Sequence, residues 1–435
     1  MSSAPPEKPA RPFRRPAGGS RPNQHRSGRR PQRLAEGRVP GLPVEVTIDR
    51  IVGEGRGIGF ADGMTIFVPL TAPGDTVRVK VTRLQGTVAH AEIEEMLEPS
   101  PIRIEPRVAD YAASGGLDLQ HLAYPDQLAV KAGAIADSLR RIAKLDPVPE
   151  IPVTPSPQEW EYRTRAEFQI DHETGAVGYF APTSHRVVDV AESPILTPEV
   201  QALLTTLRDD KAANLVPKAA REYRAVSGDA GSVLEPTNSA KSRLVMRQVG
   251  DDLFRFSAEC FFQANIPVTL AALDRVNQIA DVARRGDGIA LDLYCGVGLF
   301  TVSLARRFPR VVGVESMLAA TKYAEENMET AGLANGRFVT APVEHWIAGD
   351  RSPIGRVALA VFDPPRTGAG KETIQHLLRL KPTHVAAVSC DPATFSRDIH
   401  GLIEGGYELV DVQGYDMFPQ THHVEIVAHL RRQIG

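Results

Sequence analysis

The sequence predicts an α/β protein: a Rossmann-like, mainly parallel sheet with helices on both faces, preceded by an OB-like β-barrel and a mixed α/β middle region. Three observations carry this. From about Ser257 onward, strand-like apolar runs alternate with helix-like runs, the pattern of an open, doubly wound sheet. Between Pro43 and Glu98, five short and partly alternating runs are separated by Gly-rich or Pro-Gly turns, the pattern of a small oligonucleotide-binding-type barrel. The length of 435 residues exceeds one ordinary domain and leaves room for a third region between these two.

Taken in order, residues 1–42 read as a disordered basic tail. Met1 to Pro40 holds Lys8 and nine arginines against Glu7 and Glu36, a local charge of +8 in a chain whose total is −3. Rich in Pro, Gly and Ser, this stretch cannot bury enough apolar surface to fold alone. Such a basic arm attracts phosphates; a solubilising leader is the alternative. Residues 43–98 form the expected barrel, with "VEVTIDRIV", "GIGFADG", "MTIFVPL", "DTVRVKVTRL" and "TVAHAEIEEML" as its strands. Residues 99–256 form the middle region, expected to shape a substrate cleft. It contains a helix in "DQLAVKAGAIADSLRRIAKL" and strands in "YRTRAEFQI" and "AVGYFAP".

Residues 257–435 form the doubly wound domain. "GIALDLYC", "RVVGVE", "GRFVTA", "VALAVFDPP" and "THVAAVSC" are its parallel strands, with "FTVSLARRF", "MLAATKYAEENMETAG" and "KETIQHLLRL" among its helices. The last two strands, "YELVDVQGYDMF" and "VEIVAHLRR", leave no room for a helix between them and are expected to pair antiparallel.

Composition narrows the class. With 42% hydrophobic and 24% charged residues, the chain is ordinary for a soluble globular protein. No apolar run reaches the roughly 18 residues of a membrane span, and the first residues lack a signal peptide's apolar core. Only Cys260, Cys295 and Cys390 occur, which argues for a reducing compartment, the cytoplasm, and against a disulfide framework. Three thiols also cannot supply a four-cysteine metal site, and no metal site is expected. A monomer is expected.

The candidate chemistry lies at one sheet edge. "LDLYCGVGLFT" places a strand directly before Gly296 and Gly298 and a helix after them. Two glycines let the backbone turn tightly and approach a ligand. A dinucleotide fingerprint wants a third glycine where Thr301 stands, and a plain β-turn-α connection is the bland alternative. Asp292, Glu315, Asp363 and Cys390 all fall at carboxyl ends of expected parallel strands, where open α/β sheets bind ligands. A carboxylate such as Glu315 there can take both ribose hydroxyls.

The acid-x-x-x-Gly-x-Gly turn with an acid ending the second strand looks like the S-adenosylmethionine-dependent methyltransferase fold. "FFQAN" (261–265), "LDLYCGVG", "FDPPRTG" (362–368), "SCDPATFSRD" (389–398) and "FPQTHHVE" (418–425) occur in this order. Together they resemble the RNA 5-methyluridine methyltransferases, and the first barrel resembles their TRAM domain. The resemblance covers nearly everything after residue 43. It implies S-adenosylmethionine as cofactor and RNA as partner, ribosomal RNA before transfer RNA because the TRAM barrel is more typical of the large-subunit enzymes. It implies Cys390 and Glu425 as catalytic residues, and Gln263, Tyr294, Glu315 and Asp363 as cofactor-binding residues.

Those residue types suit the chemistry. Carbon 5 of uracil is a poor nucleophile. A thiolate adding to carbon 6 makes an enolate that can attack a methyl group, splitting one hard step into easier ones. A base must then remove the proton on carbon 5, and Glu425 at the start of the last strand is placed for it. The thiol needs activation, for which Arg397 and nearby backbone amides are candidates. The alternative for Cys390 is a small buried residue, the reading given to Cys260 and Cys295.

The chain departs from the family in two places. Leu299 stands where many members have a polar residue. Asp363-Pro364-Pro365 also resembles the Asp-Pro-Pro-aromatic loop of amino-methylating enzymes, but Arg366 replaces the aromatic; an arginine suits phosphate or base contact. Some members also hold an iron–sulfur cluster through four cysteines. Here those positions read as Val108, Ser114, Leu117 and Ser193. Clusters need thiolates, so no iron–sulfur cluster is expected, and apolar packing of Val108 and Leu117 is expected in its place. A non-catalytic RNA-binding or ribosome-assembly factor is the competing class, disfavoured by the intact Cys390 and Glu425.

Overall fold

Valine and isoleucine at every second position close the N-terminal barrel. In the computed structural model, which describes residues 41, 43–109, 111–114, 116–182, 184–285, 288–349 and 354–433, the strands are β1 (Pro43–Val52), β2 (Arg56–Ala61), β3 (Met64–Pro69), β4 (Thr76–Gln85) and β5 (Val88–Glu98). They form a closed barrel in the order β1-β2-β3-β5-β4. Val46, Ile48, Ile66, Val68, Val77 and Val79 fill it and are buried, as period-2 alternation requires. The tail read at 1–42 lies, apart from position 41, outside the described residues.

The middle region holds α1 (Tyr111–Ser114), α2 (Tyr124–Arg141), β6 (Val153–Thr154), β7 (Arg165–Ile170), β8 (Val177–Phe180), β9 (Val187–Asp189), α3 (Pro198–Ala212), β10 (Glu222–Gly228), β11 (Gly231–Pro236), β12 (Leu244–Val249) and β13 (Asp252–Ser257). A five-stranded antiparallel sheet, β11-β10-β7-β8-β9, packs against α3 through Val200, Leu204 and Leu207. Strands β12 and β13 form a separate hairpin.

The C-terminal part holds α4 (Ile266–Ala283), β14 (Ile289–Leu293), α5 (Leu299–Ala305), β15 (Val311–Glu315), α6 (Leu318–Thr330), β16 (Gly336–Thr340), α7 (Val343–Ala348), β17 (Val357–Phe362), α8 (Lys371–Leu380), β18 (His384–Ser389), α9 (Pro392–Glu404), β19 (Tyr407–Tyr415) and β20 (Glu425–Arg432). The sheet runs β16-β15-β14-β17-β18-β20-β19-β6. Its first five strands are parallel, and β20 pairs antiparallel with both β18 and β19. The strand order reverses between β14 and β17, the place where doubly wound sheets bind ligands.

Pro40–Gly435 forms one compact unit, and the divisions read at 98/99 and 256/257 fall inside it. Strand β6 adds to the C-terminal sheet beside β19. Ile135 and Leu139 of α2 share a core with Phe395, Ile399 and Leu402 of α9. Among the described residues, no helix is long and apolar enough to cross a membrane.

Candidate active site

Strand register brings the thiol and the carboxylate together. Val388 pairs with Val427 and Ser389 with Ile426 across β18 and β20. Cys390 follows Ser389 directly and Glu425 precedes Ile426, so the thiol and the carboxylate lie at the same end of this strand pair, close enough for Glu425 to act on the thiol. Because β20 runs against its neighbours, its first residue reaches the edge where the parallel strands end. Asp391 then caps α9, accepting from Thr394 N at 2.8 Å, with Pro392 in the first turn. Both residue types favour a helix start, so the chain leaves the sheet directly after Cys390.

Burial and like charges set the protonation at this edge. The Cys390 thiol is pushed up to about 12 by burial first, then by Glu425 and Asp363, while Arg366 acts the other way. Glu425 is only 4% exposed, and its carboxyl is raised well above the usual range by burial and then by Asp363. Burial lifts Asp363 to about 7. All three are therefore held toward their neutral forms. The cation that favours the Cys390 thiolate is Arg366. Arg397, a candidate from sequence, is instead engaged with Thr367 O at 2.7 Å and with Asp398. The Thr394 amide is taken by Asp391.

Arg366 is oriented by His423, whose Nε2 lies 3.4 Å from a guanidinium nitrogen. A guanidinium only donates, so Nε2 accepts. Burial, followed by His422 and Arg366, holds the His423 imidazole neutral. A cavity of about 230 Å³ opens here, lined by Arg366, Cys390, Lys131, His422 and His423, and also by residues 51–54 at the end of barrel strand β1. Of the three cysteines, Cys390 is the partly exposed one; Cys260 and Cys295 are buried.

The β14–β15 side of the edge is built from carboxylates with partners. Glu315 accepts from Gly296 N at 3.2 Å and from Met317 N at 2.8 Å. Asp292 is fully buried, and its Oδ2 accepts from Thr301 Oγ1 at 2.5 Å. Its Oδ1 is buried and has no hydrogen-bond partner among the described residues. Burial lifts this carboxyl to about 7. Gly296 sits at φ +52, and a Cβ there would meet nothing within 4 Å, so conformation rather than crowding calls for glycine. Tyr294 adopts φ +66, a strained region for a non-glycine residue that costs about 1–3 kcal/mol and clusters at functional sites. Its hydroxyl donates to Glu344 Oε1 at 3.0 Å. Gln263 is half-buried just before α4. Leu299 opens α5 and packs against the core. An unpartnered carboxylate oxygen, an acid ending β15 and an open glycine turn fit an adenosyl-type cofactor.

Of the four positions that the resemblance assigns to cluster ligands, Val108 and Leu117 are apolar and cannot coordinate iron. Val108 and Leu117 pack with Tyr162, Ile195 and Trp160. Ser193 is buried and donates its N–H to Gln201 Oε1 at 2.9 Å. Valine and leucine offer no ligand atom, and iron analysis is expected to find none.

Sequence reasoning missed Lys131. This residue is fully buried, ion-paired with Asp416, and donates to Phe418 O at 3.1 Å. The signal was present: Gln127, Lys131, Ile135 and Leu139, spaced by four, make the buried stripe of α2, and a lysine on such a stripe needs a partner.

Fold and edge define an S-adenosylmethionine-dependent methyltransferase with an appended nucleic-acid-binding barrel. The model of the tRNA (uracil-5-)-methyltransferase family matches residues 242–433. That of the TRAM domain of tRNA (uracil(54)-C(5))-methyltransferase matches 44–102. The chain is 32% identical, over 92% of its length and 97% of the relative's, to the 23S rRNA (uracil(1939)-C(5))-methyltransferase of Pseudomonas putida. It is 31% identical to the same enzyme of Pseudomonas entomophila, over 95% and 96%. The solved tRNA (uracil-54, C5)-methyltransferase of Pyrococcus abyssi, in complex with S-adenosyl-L-homocysteine, shares the fold with a TM-score of 0.66 at 24% identity, covering 88% of this chain and 100% of that one. The chain belongs to the RNA uracil-C5 methyltransferase family: it is an enzyme that uses S-adenosylmethionine and acts on RNA.

Proposed function

We propose that the enzyme methylates carbon 5 of a uridine in large-subunit ribosomal RNA through a covalent adduct between Cys390 and carbon 6 of the uracil. The observation that carries this is the proximity of Cys390, directly after β18, to Glu425, the first residue of β20, with Asp363 and Arg366 also acting on the thiol. Cys390 gives up its proton to solvent water and adds to carbon 6 as the thiolate, the new carbon–sulfur bond displacing the 5,6 π electrons into the ring. The ring becomes an enolate, and carbon 5 takes the methyl group. Glu425 then removes the proton from carbon 5, the carbon–sulfur bond breaks, and the thiolate is released. Gln263, Tyr294, Glu315 and Asp363 would hold S-adenosylmethionine, which would supply an electrophilic methyl group, leave as S-adenosylhomocysteine, and bring a positive charge that favours the ionised forms of nearby acidic groups. Arg366, oriented by His423, favours the Cys390 thiolate.

The barrel at 43–98 grips RNA, the 99–256 region shapes the cleft, and 257–435 transfers the methyl group, all within a monomer. The ribosomal target draws support from the two Pseudomonas relatives, both 23S rRNA (uracil(1939)-C(5))-methyltransferases. The test is mapping 5-methyluridine in ribosomal and transfer RNA from cells lacking this protein. Loss at one site in 23S ribosomal RNA is expected; loss in transfer RNA alone would move the target.

A further inference from the structure

The segment 416–422, which leads into Glu425, is fastened almost residue by residue from outside. Lys131 binds Asp416 and the Phe418 carbonyl. Asn265 Nδ2 donates to Met417 O at 3.3 Å, and Tyr162 OH to Pro419 O at 2.9 Å. Gln127 exchanges two bonds of 2.9 Å with Gln420, and Leu119 N donates to Gln420 O at 3.0 Å. Asp118 completes the series: its Oδ1 accepts from His422 N at 3.0 Å, and its Oδ2 lies 2.5 Å from His422 Nδ1.

The barrel arrives at this last pair. Gly55, in the turn between β1 and β2, has φ +67. A Cβ there would overlap Asp118 Oδ2 and lie 3.0 Å from His422 Cβ. Glycine is needed both for conformation and for space. The preceding Gly53 and Glu54 line the cavity at Cys390. Barrel backbone, Asp118 and His422 thus form one stack, three residues from Glu425.

We propose that Asp118 is a positioning residue for methyl transfer. It fixes His422, and with it the segment ending at Glu425, while the barrel turn at Gly55 holds the pair in place. The barrel then shapes the reaction site in addition to gripping RNA. This rests on Glu425 serving as the base. A barrel acting only as a tether would influence KM for RNA alone; a barrel acting through Asp118 influences kcat, because small displacements of a reacting group are costly.

The test uses the full-length protein and its Asp118→Ala, Asp118→Asn and Gly55→Ala variants, with 23S ribosomal RNA and transfer RNA from cells lacking the protein as substrates. Asp118→Ala and Gly55→Ala are expected to lower kcat roughly tenfold to a hundredfold, with KM for S-adenosylmethionine changed less than about twofold. Asparagine retains an acceptor for the His422 amide and should restore most of the rate. Hydrogen exchange of the free proteins gives a second readout that needs no RNA: the alanine variants should lose protection at residues 420–424, and Asp118→Asn should keep it. Unchanged kcat with only KM for RNA raised, or unchanged protection in both alanine variants, would overturn the proposal. If the wild type methylates neither RNA, the functional reading fails, while the exchange data still decide the positioning role.

Discussion

The two halves of the sheet edge handle buried acids differently. On the β14–β15 side, Glu315 accepts two backbone N–H groups and Asp292 accepts from Thr301. On the β17–β18–β20 side, Asp363, Cys390 and Glu425 make no side-chain hydrogen bond to any other described residue; burial raises all three, and neighbouring carboxyls raise Cys390 and Glu425 further. The first half is organised by its own turn, as a binding site should be. The second half holds groups whose charged forms are costly until a cation and a substrate arrive, as reacting groups often are.

Replacing the proposed nucleophile should have the largest effect. Cys390→Ala is expected to reduce methyl transfer to background while S-adenosylhomocysteine binding, followed by calorimetry, stays near wild type. A variant that still turned over at near wild-type rate would remove the distinction between the two halves.

Asp292 tests whether the binding half also carries a burial cost. Its folded pKa of about 7 lies above the ordinary value of 3.8. Between these values the unfolded chain binds fewer protons than the folded one, so stability falls as pH rises from about 4 to 7 and the cost levels off above 7. Asp292→Asn keeps an acceptor for Thr301 and removes the charge. It should leave Tm nearly unchanged near pH 4 and stabilise the free protein by a few kcal/mol at pH 8. Equal shifts at both pH values would contradict the assignment.

A smaller effect is expected from Glu315→Ala. Losing a hydrogen bond to a charged group costs about 1.5–3 kcal/mol, so cofactor affinity should fall at least about tenfold, with the maximal rate little changed at saturating cofactor.

Much of this was legible in the sequence, for physical reasons. Alternation in "VEVTIDRIV" and "DTVRVKVTRL" exposes the barrel because each inward side chain must be apolar. The edge residues were legible because strand ends are marked by an acid, a glycine turn or Asp-Pro. Even the antiparallel last strand followed from the missing crossover helix. Register was not legible: nothing local in "HVAAVS" or "EIVAHL" says that Ser389 meets Ile426, so the meeting of Cys390 and Glu425 needed the structure. Long-range polar partners were hidden for the same reason. Arg366 rather than Arg397 faces the thiol because of how the 362–370 loop folds against α9, and Lys131 and Asp416 are 285 residues apart. The helix α4 also went unread, since "IPVTLAALDRVNQIADVA" follows an irregular "FFQAN" with no side-chain cap at Asn265.

The central claim is that Cys390 and Glu425 act in sequence on one uracil. The most direct measurement is to incubate Glu425→Gln protein with labelled S-adenosylmethionine and RNA from cells lacking the enzyme, then to resolve covalent protein–RNA species by denaturing gel and mass spectrometry. Without the base, the carbon 5 proton stays and the thiolate cannot leave. A methylated protein–RNA adduct attached at Cys390 should therefore accumulate, and it should be absent when Cys390→Ala is added to the same protein. Normal release of 5-methyluridine by Glu425→Gln with no trapped complex, or an adduct that persists without Cys390, would contradict the account.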